Sequence, residues 1–135
     1  AKIQTLSDGT NTYIARIGLC NSSSFATDGL WFEYTHGTNS GNWQVISQAA
    51  GVSSTGNSNT AADTNWHVFK IIANAAGTSI AYYIDGVELT NSPRTASIPT
   101  AGITPCVGIT KSAGGSTREI LVDLYTLNYA LTTPR

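Results

Sequence analysis

Apolar and polar residues alternate along most of the chain with a period of two, the spacing that puts successive side chains on opposite faces of a strand. In "NTYIARIGLC", Tyr13, Ala15, Ile17 and Leu19 share one side, while Ile14, Arg16 and Gly18 share the other. "GLWFEYT", opened by the turn pair Asp28-Gly29, sets Leu30, Phe32 and Tyr34 against Trp31, Glu33 and Thr35. "HGTNSGN" then reverses the chain into "NWQVISQAAG", where Trp43, Val45 and Ser47 oppose Gln44, Ile46 and Gln48. The stretch "GVSSTGNSNTAADT" carries few large apolar residues and reads as a long loop or a weak edge strand.

Alternation returns at Trp66, with Trp66, Val68, Lys70 and Ile72 on one side and His67, Phe69, Ile71 and Ala73 on the other. "NAAGT" turns into "SIAYYIDGVEL", in which Ile80, Tyr82 and Ile84 face away from Ala81 and Tyr83. Asp85-Gly86 is the dipeptide that most readily adopts the positive φ of a tight hairpin, so Val87 to Leu89 should come back as a short strand. Pro93, Pro99 and Pro105 mark a meandering connection, because proline lacks the N–H that a central strand donates. "CVGITKS" resumes strand. "AGGSTREILVDLYTLNYAL" predicts a closing strand with Ile120, Val122 and Leu124 on one face and Leu121, Asp123, Tyr125 and Leu127 on the other, both largely buried.

No window shows the i, i+3, i+4, i+7 apolar pattern behind a capping residue. The chain reads as all-β: eight or so antiparallel strands in a two-sheet β-sandwich, with the long connection after residue 89 favouring a jelly roll. Its 135 residues are enough for one core, so a single domain over 1–135 is expected.

Composition narrows the function classes. Charged residues make up 11 %, with a net charge of −1, and the seven basic residues are scattered singly. Nothing forms the basic stripe that nucleic acid requires, and no run approaches the ~20 apolar residues of a membrane-spanning helix. Neither nucleic acid nor membrane insertion is expected. The absence of methionine and the start at Ala1 fit a processed initiator or a fragment boundary equally. Cys20 and Cys106 lack zinc-ligand spacing and sit among apolar neighbours. Two free buried thiols are the first expectation; a single disulfide, the alternative, would mark an oxidising compartment.

The ordered set "GLWFEYT", "TNWHVFKIIANAAGTSIAYYIDGVEL", "SIPT" and "ITPCVGITKSAGGSTREILVDLYTL" resembles the concanavalin A-like, or laminin G-like, jelly rolls of tailed-bacteriophage structural proteins. The matched portion runs from about Gly29 to Leu127. The resemblance implies a non-enzymatic virion module, such as a fibre, spike or capsid decoration, on the virion exterior. It also implies binding to neighbouring virion proteins, assembly as a homo-oligomer such as a trimer, and contact with host-surface glycan. The chain would then be the C-terminal part of a longer virion protein. A secreted carbohydrate-binding module or lectin is the competing class.

Candidate chemistry changes this picture little. Glycosidases need two carboxylates about 5 to 10 Å apart, and Glu33, Glu88 and Glu119 lack the expected partners, Glu119 pairing in sequence only with Asp123. His36 and His67 have no nucleophile elbow beside them. No catalytic residue, metal ligand or cofactor is therefore expected. Asp123 reads as a buried carboxylate satisfied by backbone or by Arg16 or Arg118, ahead of a calcium ligand. Sugars stack on exposed tryptophan, and Trp31, Trp43 and Trp66 are each read first as core. A glycan site, where present, is placed at Trp31, His36, Asn42 and Trp43, at the loop end of the second hairpin.

Overall fold

A computed structural model describes residues 1–128 of the protein. They form an all-β fold of antiparallel sheets, and apart from a single 3₁₀ turn at Asn39–Gly41 there is no helix among the described residues. In chain order the strands are β1 (Lys2–Ile3), β2 (Tyr13–Cys20), β3 (Gly29–Thr35), β4 (Asn42–Ala49), β5 (Val52–Ala61), β6 (Phe69–Ala73), β7 (Ile80–Ile84), β8 (Val87–Glu88), β9 (Thr104–Lys111) and β10 (Ile120–Leu121).

The larger sheet has five strands in the order β5-β4-β3-β2-β9, and β6-β7-β8 forms a second sheet. Alternation decides which residues meet between them. Tyr13, Ala15 and Ile17 of β2, Leu30, Phe32 and Tyr34 of β3, and Trp43 and Val45 of β4 point inward, as do Ile80, Tyr82 and Ile84 of β7. The layers lock through aromatic edges: Phe32 lies 5.0 Å from Phe69 and 5.3 Å from Tyr82, and Trp43 lies 4.9 Å from Phe69. Such contacts exceed simple area burial by about 0.5–1.5 kcal/mol per pair. The Tyr82 hydroxyl crosses the interface and donates to the Ile46 carbonyl at 2.6 Å.

β1 and β10 make a third, two-stranded sheet with Lys2 opposite Leu121 and Ile3 opposite Ile120. It is tied to the β6 side by a reciprocal pair of hydrogen bonds, Ala1 N to His67 O and His67 N to Ala1 O, both 2.9 Å. A smaller apolar cluster covers the outer face of the five-stranded sheet. There Trp31 packs with Phe25, Cys20, Ile46 and Cys106; its ring lies over Gly29, and its Cα and Cβ crowd Gly18 together with the Leu30 carbonyl, so a side chain at either glycine would collide.

Three sequence expectations are corrected, and one left open is decided. Residues 52–61, expected as a long loop or a weak edge strand, are a ten-residue edge strand. Their small polar side chains leave room for Asn91 and Arg94, which bond the carbonyls of Asn57 and Thr55. The strand expected from Trp66 begins at Phe69, and Trp66 is 51 % exposed, not core. His67, Phe69 and Ile71 take the inward positions, so the period of two sends Trp66 outward, where the Lys2 ammonium lies 5.3 Å from its ring. The closing strand is regular only at Ile120–Leu121. Val122, Leu124, Tyr125 and Leu127 are exposed, because β1 supplies only two residues of pairing; residues 129–131 of that run lie outside the described residues. Asp123 is exposed as well, and its expected partners are engaged elsewhere, Arg16 with Glu33 at 2.7 Å and Arg118 with Asp8 at 3.1 Å.

Candidate functional site

The densest group of titratable side chains is built by one hairpin. Asp85 and Gly86 both take positive φ, 52° and 82°, in the two-residue turn joining β7 to β8, a conformation that suits Asp and Gly and penalises most other residues. In the β6–β7 register Phe69 stands opposite Ile84, so the next step brings Asp85 against Val68. One Asp85 oxygen accepts from the Val68 N–H at 2.8 Å, and the other lies 2.6 Å from His67 Nδ1. Asp63 completes the group. Its Oδ1 lies 2.9 Å from His67 Nε2 and is itself held by the Asn65 N–H at 2.6 Å.

Electrostatics follow from this arrangement. Burial alone would push the His67 imidazole down, but Asp85 and Asp63 together outweigh it and leave the pKa raised. Burial likewise works against ionised Asp85, yet the Val68 N–H and His67 hold its carboxyl below the usual range. For Asp63 the Asn65 N–H leads, followed by His67, and the pKa is again lowered. When protonated, the imidazole donates from both nitrogens to carboxylates. Held at both ring nitrogens, His67 is a clamp that fixes the entry to β6 onto the hairpin turn.

The four residues expected at a sugar site are not brought together as a platform. Trp31 and Trp43 are 2 % and 1 % exposed and lie on opposite faces of the five-stranded sheet, Trp31 under Phe25 and Trp43 against Phe69. Neither offers a ring face to a ligand. The Trp31 indole N–H donates to Glu33 at 3.4 Å, while Trp43 Nε1 has no partner in the core. His36 is exposed in the turn that precedes β4, and Asn42, half-buried, is the first residue of that strand. Both thiols are free and belong to the outer-face cluster, and burial, followed by the neighbouring Cys20, pushes the Cys106 thiol well above the usual range. Among the described residues no three His, Cys, Asp or Glu side chains are placed to hold a metal ion, and no helix is long and apolar enough to cross a membrane.

An open trough lies between β6 and residues 122–128. Two adjoining cavities of about 690 and 620 Å³ make it up, sharing Ile17, Phe69, Lys70 and Leu124 among their walls, and Ala1 stands at one end. Sequence reasoning missed both the trough and the clamp. The clamp was recoverable by carrying the "NWHVFKII"/"YYIDG" hairpin register one step beyond Phe69; the trough carries no local signal.

Comparison with known proteins gives one match: the model of the family described as SO2946-like, C-terminal domain, covers residues 1–123. No curated protein and no solved structure matches the sequence.

Proposed function

The chain belongs to the SO2946-like, C-terminal domain family, and from the resemblance of its strand motifs to phage jelly rolls we propose that it is a non-enzymatic structural module of a bacteriophage virion. In this reading it is a fibre, spike or capsid-decoration domain on the particle exterior. It holds neighbouring virion proteins, assembles as an oligomer such as a trimer, and presents its outer surface to host glycan. The concanavalin A-like jelly-roll connectivity belongs to the same reading.

The observation that carries it is the use made of the acidic side chains. Six of the eight are bonded into the scaffold. Asp8 holds the turn at Thr10 and Asn11, Asp28 holds Ala50, Glu33 pairs Arg16, Asp63 and Asp85 clamp His67, and Glu88 bonds Tyr83 and Ser92. Carboxylates spent on fastening loops support a rigid binding scaffold over a hydrolase, whose paired acids must face substrate. The weakly charged Ser-, Thr- and Asn-rich surface supports the same reading.

A secreted carbohydrate-binding module is the second reading, and exposed Trp66, followed by His67 in the clamp and preceded by Asn65, is the feature that favours it. Two measurements separate them: mass spectrometry of purified particles and a glycan array. Stoichiometric incorporation into particles is the expected result. Its absence, together with glycan binding that Trp66→Ala abolishes, overturns the virion reading.

A further inference from the structure

β1 lies between two partners that part company beyond it. Ala1 and His67 exchange both backbone hydrogen bonds, each 2.9 Å, which only an antiparallel pair does. On its other side β1 runs antiparallel to β10. Carried backwards past Ala1, the β1 register puts the next positions between residues 68–72 and residues 122–126, which line the trough.

The walls are chemically those of a vacant strand position. Val68 turns its carbonyl to the Asp85 N–H at 3.0 Å, and backbone groups alternate sides along a strand. Those of Phe69 and Ile71 therefore point into the trough, where β6 has no strand partner among the described residues. Val122 and Leu124 fall on the same face as Ile120, which packs on the core, yet they are 45 % and 77 % exposed. They have the pattern of a buried strand, and no neighbour among the described residues buries it.

We propose that the trough seats one extended strand of polypeptide joined directly to Ala1, which pairs with β6 on one side and residues 122–126 on the other. Filling it merges the two small sheets into one five-stranded layer in the order β10-β1-β6-β7-β8. The register is fixed by Ala1 lying opposite His67. The second and fourth residues before Ala1 stand beside Phe69 and Ile71, face the core and are apolar; the first and third face outward and are polar. The five residues of β6 give about 13 Å of edge at roughly 3.3 Å per residue, room for a strand of four or five residues.

Two five-residue extensions placed before Ala1 test this. One carries Val at the second and fourth positions before Ala1 and Thr elsewhere; the other carries Val at the first and third positions and Thr elsewhere. Amide exchange at Phe69 and Ile71, thermal melting and solution mass are measured on both and on the unextended chain. The first extension should slow exchange at both amides at least about tenfold and raise the melting temperature in a monomer, and the second should do neither. Equal protection by both extensions, or by neither, overturns the proposal. Protection in the unextended chain that grows with concentration and doubled mass also overturns it, giving the trough to a second copy.

Discussion

His67 Nδ1 and Asp85 Oδ2 lie 2.6 Å apart across the β7–β8 turn. Asp85 thus has two structural duties, since its backbone adopts the positive φ of the turn while its carboxylate secures the segment that enters β6.

The clamp makes stability depend on pH in a definite direction. The His67 pKa is raised above 6.5, so its contribution is complete below 6.5 and fades as pH climbs through the raised value. Those of Asp63 and Asp85 are lowered from 3.8, so their contribution is complete above 3.8 and fades as pH falls through the lowered values. Urea midpoints should peak between about pH 4 and 6.5 and decline toward pH 8. His67→Gln should flatten the alkaline limb; an unchanged limb in that variant would place the pH dependence elsewhere.

Gly86 has open space around its α-carbon, so Gly86→Val adds strain at φ 82° without a clash. The expected loss is about 1–2 kcal/mol of unfolding free energy. A loss several times larger, measured by denaturant titration, would mean that the turn packs against something.

Trp31 is a packing residue on the outer face of its sheet. Trp31→Ala should cost about 3–5 kcal/mol. Gly18→Ala, whose new carbon would sit 2.6 Å from the Trp31 Cα, should cost about 3 kcal/mol or more. A glycan ligand lost from Trp31→Ala with unchanged stability would contradict that placement.

The Cys106 thiol, its pKa raised by burial and by neighbouring Cys20, should resist iodoacetamide at pH 8 in the folded protein and react after unfolding. Intact mass after alkylation reads this directly, and rapid modification of the native protein is the contrary result.

Much of the fold was legible because alternation is unambiguous where one face is buried. β2, β3, β4 and β7 fall where Tyr13–Cys20, Gly29–Thr35, Asn42–Ala49 and Ile80–Ile84 alternate, and Asp85-Gly86 announces its turn. β5 was hard to read because an edge strand of Ser, Thr and Asn draws its pairing from β4 rather than from its own side chains. The run from Ile120 to Leu127 misled because its apolar pattern needs neighbours on both sides, and β1 supplies two residues on one. At the site, spacing alone does not reveal that His67 reaches Asp63 and Asp85 together, since that depends on the hairpin register; nor does it reveal that Trp31 and Trp43 are packed away on opposite faces.

These carboxylates and this imidazole are proposed to fasten a binding scaffold and to perform no chemistry. Asp85→Asn keeps the turn geometry and removes the charge, so its melting temperature and its binding to virion particles lacking the protein should be measured together. A lower melting temperature is expected, with binding unchanged below it. Binding lost at an unchanged melting temperature would contradict it.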